Sequence, residues 1–580
     1  MHHCLCIAEV VDLLCSGIEQ GWLQDAIDDP TPKRTLLTLA LTCKTWSELA
    51  LDHLWYDIHG VEPLVQCMPP DLWQFKGRPM TLILQRPIRA ADFDVFRHYA
   101  PRVRILRPSA PLVRADISLY RALYALSNTC LLPKLRQLFW DVDDPQIFEF
   151  IPLFLSRELD SLMVRPFKNH IDQLSFLSTI PTTFSPAVSC LHIYSSLPER
   201  GCDAQTLSGV LTAWTHLTDV KVPDVTLEGF LTLARMPNLR SLSLTALRLL
   251  LAPSMDGRNS SGASSPAQNP FPSLEKLMLS THLAMREVVG LFQAIKKARL
   301  HTLALSFDVT DDDYDDMAED MTELARTVVH HCDTTLLTHL VIHIPRQTAP
   351  FSAFIAPLLE FHALEAFSFG GYIPWSISEH EASQIASSWP NLQHFENLVT
   401  HGLVDGLYIS NPLTSLLSLI PFTRCTQLHY LSLTVDASDK AARDTIRKNP
   451  DLYLNARNRS LRYWNVAHSP ISHKEVVASF LFTLFPALEH IAYEGVDKSS
   501  CRRWRYVGEV LLPMLNRARM IELRRTGSYH GTQFSTGWGR VEPRTSRWYS
   551  GVIEAQDGEW SDEEGIDRMH RQLSNKYLPL

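Results

Sequence analysis

Apolar residues in this chain recur in a fixed figure of six: leucine or another large apolar residue at the first, fourth and sixth places, with polar or small residues between. Strong copies begin at Leu135, Leu239, Leu274, Leu300, Leu337, Leu364, Leu428, Leu461 and Leu488, and weaker ones at Val103, Leu159, Val188, Leu217 and Leu392. Side chains alternate along an extended strand. The figure therefore predicts short strands whose first, fourth and sixth places face a core and whose third and fifth face away. Between copies the period changes to that of a helix. Ile147, Phe150, Ile151 and Phe154 predict a helix over 145–154, and Val288, Leu291, Phe292 and Ile295 predict another. One such unit cannot cover its own apolar face, whereas stacked units share a continuous core. The expected class is α/β, an irregular solenoid with parallel strands on its concave side and helices outside.

The first 60 residues lack the figure and read as helices. Leu36, Leu39, Ala40 and Cys43 lie at helical spacing, and Trp46, Leu49 and Ala50 extend the stripe. Asp28 to Pro32 predicts a loop before it. The expected organisation is a helical domain over 1–60, the solenoid over 61–500, and a C-terminal helix with a mostly flexible tail over 501–580. Residues 254–270 are rich in Ser, Gly, Pro and Asn and predict a disordered insertion between repeats.

The six-residue figure resembles that of leucine-rich repeats, though several units exceed the roughly 20–29 residues usual for them. The run from Thr35 to Ala50 followed by Leu54-Trp55 resembles the second half of an F-box, whose usual form is L-x-x-L-x-x-V-C-[KR]-x-W and then L-W. Leu36, Leu39, Thr42, Cys43, Lys44 and Trp46 fall on those positions. Glu9-Val10-Val11 and Leu14 are similar to the family's first helix, with Ile7-Ala8 where a proline usually stands and a longer segment between the halves. The Met-His-x-Cys-Leu start is similar to the large fungal F-box families. The resemblance implies a substrate-recognition subunit that docks on a Skp1-type adaptor, and through it a cullin-RING ubiquitin ligase. It implies Val10, Val11, Leu14, Leu36, Leu39, Cys43 and Trp46 as the adaptor-binding residues. Helices this short have little chain for a core of their own, so these apolar residues are expected at an interface. Capping of the solenoid's first repeat is the competing reading.

Composition narrows the alternatives. In 580 residues, 45% are hydrophobic, 20% are charged and the net charge is −9. That balance buries a core but supplies no concentrated positive face for nucleic acid. The longest apolar run, 476–485, is about half of the ~20 residues a membrane helix needs, so no membrane partner is expected. Eleven scattered cysteines form no disulfide framework. Cys43, Cys190, Cys332 and Cys425 read as small buried thiols, and the reducing cytosol or nucleus is the expected compartment. His2-His3-Cys4-x-Cys6 and His330-His331-Cys332 lack a second ligand pair at zinc spacing. Asp311 to Asp316 lacks the glycine and glutamate of a calcium loop and reads as the acidic start of a helix. No metal, cofactor or catalytic residue is expected. The alternatives to a ligase receptor are a repeat scaffold outside any ligase and, further off, an enzyme. For the unknown protein target, the outward third and fifth places turn from small residues to His394, Glu396, Tyr430, Tyr463, Asn465 and His490 in the later repeats. Tyrosine pairs rigid apolar area with a polar tip, which suits an interface. A merely polar sheet surface is the plain alternative.

Overall fold

The computed structural model describes residues 7–525, except 26–30, 79, 108–112, 127–129, 142–143, 166–170, 184–187, 195–203, 248–269, 282–284, 295–297, 308–316, 345–349, 372–374, 400–413, 450–455 and 494–497. The chain divides into two compact units, Met1–Ala518 and Arg519–Leu580. Of the second, only the end of the helix Leu512–Arg525 is described. The acidic run at 311–316, the histidine–cysteine start, the insertion up to 269 and the tail from 526 lie outside the described residues.

The first unit is an α/β solenoid. Fifteen strands form one sheet in which each strand pairs with the previous and the next, from Asp57–His59 to His490–Ala492. Where register is defined the pairing is parallel, for example Leu277 with Leu303 and Leu303 with Leu340. The fourth place of the figure forms an unbroken cross-strand column through Leu138, Leu162, Leu191, Val220, Leu242, Leu277, Leu303, Leu340, Phe367, Phe395, Leu431, Trp464 and Ile491. All are buried except Ile491, which is half-buried on the sheet's last strand with a neighbour on one side only. Burying each such side chain contributes about 1.5–3 kcal/mol. Every strand needs its neighbour for this, so the core runs as one cluster from Ile58 to Leu512.

Three expectations are corrected. The segment Pro145–Phe154 is a 3-10 helix, and all of Ile147, Phe148, Phe150, Ile151, Leu153 and Phe154 are buried. Pro152 has no N–H to give an α-helical turn, and Gln146, Glu149 and Pro152, three apart, form the outward side that the three-residue period of a 3-10 helix aligns. Thr31 and Pro32 open a helix instead of closing a loop, as suits a proline in a first turn. Cys332 and Cys425 are buried, and burial pushes both thiols up to about 12, but Cys43 and Cys190 are only half-buried. The repeat figure also left unseen a small three-stranded sheet of Trp73–Lys76, Met80–Leu84 and Val113–Ala115, which contains an antiparallel pair. No helix among the described residues is long and apolar enough to cross a membrane.

Candidate functional site

Three helices precede the sheet: α1 (Ala8–Asp25), α2 (Thr31–Ala40) and α3 (Lys44–Tyr56). They close on a small core of their own, made of Val11, Cys15, Leu36, Ala40 and Ala50, with Leu39, Trp46, Leu49 and Leu54 packed around it. The expectation that these helices are too short for a core is therefore wrong. Of the residues implied for an adaptor, Val11 and Leu36 are fully inside that core. Val10, Leu39, Cys43 and Trp46 are half-buried, and Leu14 is exposed. One heptad of each helix is enough, because three helices facing inward pool their apolar stripes. His53 on α3 meets Asp12 on α1 at 2.9 Å and ties the trio laterally.

The apolar surface lies one or two residues away from the core positions. Leu13 is 73% exposed, Leu37 46% and Leu41 79%, with Ile7 and Leu14 beside them in the exposed class. Five of the eleven exposed large hydrophobics among the described residues thus fall between Ile7 and Leu41. A lone exposed leucine is ordinary, whereas such a concentration on two short helices is uncommon on a monomer's surface. The trio is fixed to the solenoid. Arg102 bonds the Glu48 carbonyl at 3.1 Å and the Glu48 and Asp52 carboxylates, and Trp55 stacks on Tyr99 with ring centroids 4.9 Å apart. The Arg102 guanidinium also holds the Glu48 carboxyl below its usual range.

On the open face of the sheet, His394, Tyr430, Tyr463 and His490 occupy the third place of four neighbouring strands and pair directly across them. Parallel strands lie about 4.8 Å apart, which brings aromatic residues in register within stacking distance. His394 and Tyr430 rings lie 4.2 Å apart and 2° from parallel, Tyr430 and Tyr463 are at 5.0 Å and 6°, and Tyr463 and His490 are at 6.5 Å. The row becomes more exposed toward its end, where His490 is open to solvent.

The two fifth-place residues differ. Glu396 is buried, not displayed. It accepts hydrogen bonds from Ser368 Oγ at 3.1 Å and Tyr430 Oη at 3.2 Å, and lies 3.4 Å from His394 Nε2. A buried carboxylate must be partnered, and these neighbours partner it. Burial and this carboxylate both push the Tyr430 phenol up. Asn465 is half-buried and its side-chain oxygen accepts from the Ala467 amide at 2.9 Å, holding Ala467 at φ 44°. A left-handed alanine costs roughly 1–2 kcal/mol, which local hydrogen bonding offsets. Glu396 thus supports the row from a buried position, while Asn465 is half-buried like Tyr430 and Tyr463. Two strands before the row, burial pushes His343 down to about 4.

A second polar group on the same face was missed. Cys190 and His192 share the strand Cys190–Ile193, and Asp219 pairs directly with Cys190 from the next strand. Cys190 Sγ lies 3.4 Å and Asp219 Oδ1 3.3 Å from the same atom, His192 Nε2. Burial opposes a charge on His192, but Asp219 and Cys190 raise it to about 9.

The fold defines a leucine-rich-repeat-like solenoid preceded by a helical module. No known protein-family profile matches the chain, and no curated protein sequence does. Among solved structures it is similar to an internalin from Listeria monocytogenes, at 11% identity and a TM-score of 0.30 over 80% of this chain and 95% of that one. It is also similar to the leucine-rich repeat-containing protein LegL7 from Legionella pneumophila, at 14% identity and a TM-score of 0.27 over 48% of this chain and 85% of that one. At these scores neither likeness carries an argument, and the architecture rests on the strand order.

Proposed function

We propose that the chain is an interaction protein with two working faces, a substrate receptor whose helical module docks on a Skp1-type adaptor of a cullin-RING ligase while the sheet's open face holds a target protein. The concentration of exposed Leu13, Leu14, Leu37 and Leu41 on a module with its own core carries this reading. It leaves an apolar surface available without unfolding anything. The F-box-like run from Leu36 to Trp46 supports the choice of adaptor. The firm tie of α3 to Arg102 and Tyr99 suits a receptor that must hold its target at a set place from the ligase. The target side is assigned to the row His394, Tyr430, Tyr463 and His490 together with Asn465, and Glu396 supports it.

The test is co-purification of the full chain with a Skp1-type adaptor, using Leu37→Ser/Leu41→Ser as the comparison. Retention by the parent chain and loss by the variant supports the reading. A chain that binds no adaptor is a scaffold outside the ligase, and its helices then serve as the cap of the first repeat.

A further inference from the structure

We infer that Cys190, His192 and Asp219 form a binding site for a zinc-class divalent cation on the open face of the sheet, independent of the adaptor reading. The sulfur, the imidazole nitrogen and a carboxylate oxygen all lie within 4.8 Å of one another, and they are the one such group among the described residues. Zinc–sulfur bonds of about 2.3 Å and zinc–nitrogen or –oxygen bonds of about 2.0–2.1 Å place tetrahedral donors roughly 3.3–3.6 Å apart. The sulfur–nitrogen and nitrogen–oxygen separations here are 3.4 and 3.3 Å. Two of the three separations already fit one ion, and the sulfur and the carboxylate oxygen, within 4.8 Å of each other, close the third by rotating toward it.

The backbone explains why they converge. Residues two apart on a strand point to the same face, which brings His192 over Cys190. Parallel pairing then sets Asp219 beside Cys190. Tyr194 Oη lies 3.5 Å from His192 Nδ1 and supports the ring from its other nitrogen, as groups outside a metal's own ligands do. Lys221 holds its ammonium 5.1 Å from the centre of the Tyr194 ring, and both it and Lys276, two strands on, interact with the Asp219 carboxylate, so an arriving cation displaces these ammonium groups from that oxygen.

A nucleophilic cysteine with a histidine base fits less well. That chemistry uses both ring nitrogens, one for the thiol and one for the orienting carboxylate. Here the thiol and the carboxylate approach the same nitrogen. The donor set also selects the cation: thiolate and imidazole suit zinc and its neighbours, whereas calcium and magnesium require oxygen ligands throughout. Three protein donors leave a tetrahedral ion one position toward solvent.

Cobalt(II) and zinc(II) are the probes, added to the metal-stripped, reduced full chain. The parent chain should bind one more equivalent of cobalt than Cys190→Ser, with a thiolate-to-cobalt charge-transfer band that zinc abolishes. Cys67→Ser, altering an exposed cysteine elsewhere, should keep the band. Zinc should raise the melting temperature of the parent chain and not that of His192→Ala, because an ion bound only by the folded state stabilises it. The three positions are half-buried, so circular dichroism of the variants should match the parent. Should Cys190→Ser fail to fold, His192→Ala, which keeps the thiol, is read in its place. Equal metal content and equal spectra in parent and folded variants would overturn the site.

Discussion

Leu36 and Leu37 are sequence neighbours with opposite fates, one 3% and the other 46% exposed. Leu36→Ala removes packing from a five-residue core and should destabilise the helical module by about 2–5 kcal/mol. Leu37→Ala should change stability by no more than about 0.5 kcal/mol, as surface substitutions do. Urea unfolding followed by helical circular dichroism separates the two. A motif read as a string of letters could not make this distinction. It located the helices, but which leucine faces inward depends on how three helices share a core. His343 supplies a test against pH. Burial lowers its folded value from 6.5 to about 4, so the unfolded chain takes up more protons between those limits. The corresponding stability is complete above pH 6.5 and is lost as pH falls toward 4. His343→Phe should flatten the fall in urea midpoint between pH 7 and pH 5, and an unchanged slope would assign the acid sensitivity elsewhere.

The strand is the element where sequence reading went furthest, because the first, fourth and sixth places of the figure are buried on almost every strand. The third and fifth places were legible as a rule and less so as chemistry. Stacking of His394, Tyr430 and Tyr463 depends on register, which only the paired sheet defines. Cys190, His192 and Asp219 occupy third, fifth and third places of the weak copies beginning at Val188 and Leu217. Applying the outward-facing rule to those copies would have found them. Third-place Ser161 and fifth-place Ser243, Ser368, Glu396 and Ser432 are buried against the rule; for Glu396, Ser368 and Tyr430 supply the hydrogen bonds that let a carboxylate be buried on the open face. If the aromatic row is the target surface, Tyr430→Ala/Tyr463→Ala should lose captured proteins, as judged by mass spectrometry, while Ser241→Ala keeps them. The same partners on both variants would leave the row with a structural role. Glu396→Gln should weaken capture less than the tyrosine pair, since an amide still accepts from Tyr430.

For the whole molecule, a single core threaded through every repeat makes stability a property of neighbours. The helical module is an exception, with a separate core joined to the sheet by Arg102 and by Trp55 on Tyr99. That separation lets one face change without the other. The most direct measurement is a calorimetric titration of the full chain with purified Skp1-type adaptor, for the parent and for Leu37→Ser/Leu41→Ser. The account predicts a one-to-one complex for the parent and an affinity lower by about 30-fold or more for the variant, the scale of losing about 2 kcal/mol at an interface anchor. Helix content and melting temperature should match the parent. A parent that does not bind the adaptor, or a folded variant that binds it equally well, would contradict the account.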